Sequence, residues 1–97
     1  MKEDICSAIE GKLLIELEYH GHVRIVEPHV YGMDHHGVER LRGYQVAGGS
    51  RSSAPVDWKM FTVCDISSIR LTGKAFSGPR PDYTRMDPVI SQIYAQL

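Results

Sequence analysis

Arg40, Arg42 and Tyr44 occupy alternate positions of one short run, with Arg51 in a glycine- and serine-rich stretch behind them and Arg70 further on. In an extended chain, alternate residues share a face at a spacing of roughly 7 Å, so two guanidinium forks and one aromatic ring project the same way. Guanidinium groups take phosphate or carboxylate through paired N–H bonds, and an aromatic ring stacks on a nucleobase. Arg40, Arg42, Tyr44, Arg51 and Arg70 are therefore the candidate ligand-binding set, directed at a phosphate or other anion, a nucleotide or single-stranded nucleic acid. The competing reading is that Arg40 and Arg42 pair across strands with Glu16, Glu18 or Glu27 and only solvate the sheet.

Other chemistry finds less support. Arg80, Tyr83 and Arg85 repeat the interleaving of arginine and aromatic residues, but Pro79, Pro81 and Tyr83 also suit an arm pinned to the body of the domain. The five histidines form no metal-ligand spacing, since His35 and His36 are adjacent and diverge at a turn, so no metal or cofactor is expected. Ser50, Ser52 and Ser53 lack a nucleophile elbow, and the Gly48-Gly49-Ser50-Arg51 run lacks the lysine and spacing of a phosphate-binding loop. No catalytic residue is assigned, and the chain reads as a binding protein.

The elements that must position these residues follow from periodicity. Ile5, Ala8 and Ile9 recur at helical spacing, with Asp4 able to cap and Gly11 able to end a helix of about two turns. The period then changes to two. Leu13, Ile15, Leu17 and Tyr19 share one face of a strand, and a tight turn at His20-Gly21 or Gly21-His22 leads to a second strand bent at Pro28. Asp34-His35-His36-Gly37 is a turn, and residues 38–47 are a third strand placing Val38, Arg40, Arg42, Tyr44 and Val46 on one face. Residues 48–55 form a loop, 58–64 a fourth strand, and Ile66, Ile69 and Leu71 a connection and short fifth strand. The proline-bearing stretch 74–86 is an extended arm. A final helix is expected from Asp87 as cap, Pro88 at the first position and an apolar stripe of Val89, Ile90, Ile93 and Leu97.

Ninety-seven residues allow one domain, 1–97, made of a helix and barrel over 1–73 and an arm and helix over 74–97. With 42% apolar and 24% charged residues, collagen-like, coiled-coil and largely disordered readings are excluded. Net charge is −1, yet residues 1–39 carry three basic and eight acidic side chains, and 40–85 carry eight basic and three acidic. A basic second half gathered on one face would attract an anion. Cys6 and Cys64 fit no paired motif and read as buried, reduced thiols. No membrane span or signal sequence is evident, so a cytoplasmic protein is expected.

The order of these segments resembles a WYL domain, a bacterial regulatory module. The resemblance rests on the helix with Ala8-Ile9, the strand ending at Tyr19, Arg24-Ile25-Val26-Glu27-Pro28, Gly37 ahead of Leu41-Arg42-Gly43-Tyr44, and Phe61 followed by Ile66 and Ile69. It covers about two-thirds of the chain, and the family's Trp-Tyr-Leu run is Glu39-Arg40-Leu41 here. It implies a mostly β domain with flanking helices, a small five-stranded Sm-like (SH3-like) barrel with an N-terminal helix and a C-terminal arm plus helix. It also implies a non-enzymatic regulatory or sensor role in transcription regulation, binding nucleic acid or a nucleotide-like ligand. The alternative is a protein-protein interaction module acting through self-association or a protein partner, with Ile93 and Tyr94 on the contact surface.

Overall fold

The computed structural model describes residues 1–51 and 53–97, leaving Ser52 of the serine loop outside the described residues. Its first element, α1, Lys2–Gly11, buries Ile5, Ala8 and Ile9, the stripe expected from spacing. The caps differ from expectation. Met1 precedes the helix, Asp4 lies in the first turn, and Lys12 takes the left-handed conformation, φ 53°, that lets its N–H reach the Ala8 and Ile9 carbonyls.

Strand β1, Leu13–Tyr19, buries Ile15, Leu17 and Tyr19 and turns back through His20 and Gly21. Both turn residues have positive φ, 50° and 79°, the backbone whose twist suits a two-residue hairpin. Strand β2, His22–Asp34, is thirteen residues long and organises the molecule. Strand β3, Glu39–Gly48, pairs with β2 along one edge from Arg24 to Met33. The other edge is shared. β1 takes residues 22–26, and β6, Ile90–Gln96, takes residues 30–34.

Strand β4, Asp57–Thr62, lies beside β3, and a 3-10 turn at Val63–Asp65 leads into β5, Ile66–Ala75, which returns beside β1. All pairings are antiparallel, and the main path runs β4-β3-β2-β1-β5. Among the described residues no β4–β5 ladder closes it, so the sheet is open where a closed barrel was expected. Its two end strands are nevertheless joined by three residues, which forces the sheet to curl until those ends meet at one corner. Inside the curl lie Ile15, Leu17, Tyr19, Val26, Tyr31, Leu41, Phe61, Val63 and Ile66, and α1 packs its three buried residues against them.

Two expectations are corrected here. The final helix is instead strand β6, so the sheet has six strands and not five. An isolated helix of about ten residues gains little on its own, whereas the second half of β2 offers a row of unpaired backbone groups that β6 satisfies. Cys64 is exposed and Cys6 half-buried, so neither is the fully buried thiol expected, and both are free of disulfide. Among the described residues, no helix is long and apolar enough to cross a membrane.

Candidate functional site

The alternation read for β3 holds. Leu41, Gly43 and Gln45 turn to the core, and Arg40, Arg42 and Tyr44 to the opposite face. Cross-strand pairing extends that face: Tyr44 is opposite Trp58, Arg42 opposite Met60, Arg40 opposite Thr62, and Glu27 of β2 opposite Tyr44. At Pro28 the β2–β3 register slips, from Pro28–Gly43 to Val30–Arg42, and His29 is the extra residue. Such a bulge re-aims a side chain. His29 is fully buried against Trp58, its ring centroid 4.7 Å from the indole.

The irregular segment 76–89 then crosses this face as a strap. Tyr83 stacks on Trp58 at 6.2 Å, and Asp82 Oδ2 accepts the Trp58 indole N–H at 2.7 Å. Arg80 lies 3.9 Å over the Tyr44 ring and donates through Nε and Nη2 to both oxygens of Glu27, at 2.8 and 3.1 Å. Those bonds to Glu27 hold the Arg80 guanidinium more firmly protonated than usual. Between strap and sheet opens a cleft of about 330 Å³, walled by Arg42 and Trp58 on the sheet side and by Asp82, Tyr83, Thr84 and the Asp87-Pro88 pair on the strap side.

Arg42 reaches Asp87 with Nε at 2.6 Å and Nη2 at 3.4 Å. Burial pushes the Asp87 carboxyl up, but Arg42 and the Val89 N–H outweigh it, leaving it below the ordinary carboxylate range. Arg40 pairs with Asp34 at 3.1 Å and bonds the Thr62 hydroxyl at 2.8 Å. Asp34 also accepts the backbone N–H of His36 and Val38, so one carboxylate shapes the turn and holds the arginine.

The structure therefore brings Arg42 to the cleft and sets Arg40 and Tyr44 beside it on the same face, but Tyr44 does not line the cleft, because Arg80 covers its ring. Arg70 is not part of this group. It stands on β5 opposite Glu16, bonded to it at 3.0 Å and 62% exposed, three strands away from β3. Arg51 is exposed on the loop after β3. The pairing of arginines with acids is as the competing reading has it, but Arg40 and Arg42 use Asp34 and Asp87, not Glu16, Glu18 or Glu27.

Trp58, His29, Asp82 and Asp87 were not singled out from sequence as site residues. The arm's arginine-aromatic interleaving was the usable signal, since Arg80 and Tyr83 are the residues that dock it. Among the described residues, no cluster of three or more His, Cys, Asp and Glu side chains is placed to hold a metal ion. The chain matches no known family model, no curated protein and no solved structure.

Proposed function

We propose that this chain is a non-enzymatic binding domain of WYL-like, regulatory type, whose cleft between strap and sheet accepts a nucleotide-like ligand or an unpaired nucleobase. Strands β1 to β5 supply an Sm-like curl in this reading, and β6 with the strap is an addition to it. The observation that carries it is the cleft itself, where Trp58 and Tyr83 present aromatic surface beside the Arg42 fork. A planar base has two rings to lie against, Asp82 and Thr84 offer polar contacts to its edge, and a phosphate exchanges with the Asp87 carboxylate for Arg42. Arg51 and Arg70 contribute charge at a distance. A reduced, cytoplasmic setting is consistent with the two free thiols.

The test is titration of the full chain with fluorescent oligo-dT and with ATP. Binding that weakens steeply with salt and is lost in Arg42→Ala and Trp58→Ala supports the reading. Absence of binding to either probe, or equal binding by both variants, overturns it.

A second reading is favoured by one observation. Met86 is 70% exposed and Val89 37% exposed, and they flank Asp87-Pro88 at the cleft rim. An apolar rim around paired charges suits a protein surface, either a second copy or another partner. Concentration-dependent sedimentation that Met86→Ser abolishes identifies that role.

A further inference from the structure

The His29 ring makes three contacts with the segment that completes the cleft, through Arg80, Tyr83 and Phe76, and each depends on the ring being neutral or well packed. Its Nε2 lies 3.2 Å from the Arg80 backbone nitrogen, which donates to it, so Nε2 carries no proton. Nδ1 therefore holds the single ring proton and donates to the Glu27 carbonyl at 2.8 Å. Tyr83 meets the ring edge-on at 5.0 Å and Phe76 stacks at 5.9 Å, so three strap residues converge on one imidazole. The carbonyl of His29 accepts the Leu97 N–H at 2.9 Å, which ties the same residue to the end of β6.

We propose that His29 is a proton-operated latch: a proton on Nε2 turns the acceptor for the Arg80 N–H into a second donor and frees the strap that forms one wall of the cleft. Two N–H groups then face each other in a buried site, where neither finds a partner. The loss spreads because Arg80 is also the residue over Tyr44, and Tyr83 the residue over Trp58. The consequence for ligand binding rests on the function proposed above, whereas the latch itself requires no ligand.

The surrounding charges set the direction. From β2, the Glu27 carbonyl and carboxylate favour the protonated ring. From the strap, the Arg80 guanidinium disfavours it and Asp82 favours it, and Tyr83 contributes a neutral phenol. β4 presents the uncharged Trp58, and just beyond β6 the Leu97 backbone N–H meets the His29 carbonyl. Burial is the largest influence and keeps the imidazole harder to protonate than an ordinary histidine. An open strap leaves His29 with an ordinary value near ~6.5. Protons therefore bind the open form more readily, and the closed form is fully favoured above about 6.5 and loses ground as pH falls below it.

The experiment uses the full chain and its single tryptophan, Trp58. The Arg80 amide exchange, the Trp58 emission and the His29 ring resonances are followed from about pH 8 to about pH 5. Expected is a drop in Arg80 protection of up to about tenfold per pH unit below 6.5, the slope of one linked proton, moving together with the His29 resonances and the emission. In His29→Gln, which keeps an uncharged acceptor, protection and emission stay flat over that range. Asp82→Asn separates any response of Trp58 to its own carboxylate partner. Titration of the His29 ring with Arg80 protection unchanged overturns the latch, as does loss of protection while the ring stays neutral. Should His29→Gln fold poorly, the wild-type resonances decide alone. Oligo-dT affinity at about pH 7.5 and about pH 5.5 adds the functional arm, with weaker binding expected at the lower value. A working latch in a chain that binds no probe rejects the ligand reading and leaves the latch standing.

Discussion

Arg42 Nε and Asp87 Oδ2 lie 2.6 Å apart, joining the middle of β3 to the threshold of β6 across 45 residues of chain. The carboxylate is 7% exposed and the guanidinium 28% exposed, so neither can simply return to water if the other is removed. Arg42→Ala and Asp87→Ala are each expected to cost about 2–3 kcal/mol, because each leaves a desolvated charge behind. The double variant should lose less than the sum, with a coupling of about 1–2 kcal/mol in urea unfolding. Additive losses would show that the two side chains merely stand near one another.

Tyr83 carries a different imbalance. Its hydroxyl is buried with no hydrogen-bond partner among the described residues, although its ring packs on both Trp58 and His29. An orphaned hydroxyl costs stability that a hydrogen atom in its place does not. Tyr83→Phe should therefore raise stability by about 1 kcal/mol, a melting shift of roughly 4–8 °C for a chain of this size. Tyr83→Ala, which removes the stacking as well, should loosen the strap and lower the melting point. A lower melting point in Tyr83→Phe would place a working hydrogen bond on that oxygen.

Local signals carried the first half of the fold. The Leu13-to-Tyr19 alternation, the tight turn around Gly21 and the Asp34 turn each depend on residues close in sequence; the pattern leaves His20-Gly21 and Gly21-His22 both open, and the structure takes the first. The outward face of Arg40, Arg42 and Tyr44 was equally legible, because a strand's alternation needs no knowledge of its partner. What the arginines bond was not, since Asp87 and Glu27 lie 45 and 53 residues from Arg42 and Arg80. β6 was misread for the same reason. Ile90, Ile93 and Leu97 fit a helical stripe, and only the half-bare edge of β2, a feature of the assembled sheet, selects the strand. Nor could spacing tell that Arg70, three strands from β3, belongs to another part of the surface.

Acid should unfold the domain partly through Asp34. Its carboxylate accepts the Val38 N–H, then, against some burial, the His36 N–H and Arg40, and these bonds hold it below the ordinary aspartate value. A lowered carboxyl pKa contributes stability that is complete above about 3.9 and disappears as pH falls through the folded value. Urea midpoints measured from neutral pH downward should fall in that acid range. Asp34→Asn should be less stable at neutral pH and show a shallower decline below about pH 4. An unchanged slope would assign the acid sensitivity to other carboxylates, Asp87 first.

Gly32 tests the strand assignment of β6 directly. A β-carbon there would stand 2.1 Å from the Gln92 carbonyl oxygen and 2.6 Å from Ile90 Cγ2, closer than such atoms pack. The first of these neighbours is backbone, so a rotamer change cannot relieve the clash, and β6 must shift away from β2. That movement would break the pairing over residues 30–34, strain the Tyr31–Tyr94 ring contact at 5.1 Å, and draw Lys2 off the Tyr94 face, where its ammonium lies 4.0 Å from the centroid. Gly32→Ala should cost about 2–3 kcal/mol and speed amide exchange across Ile90–Gln96 while β1 and the β1–β2 turn keep their protection. If 90–96 were a helix lying over the sheet, the added methyl would face no carbonyl of a neighbouring strand. Exchange in 90–96 would then be unaltered, and β2 would have to be covered by some other element.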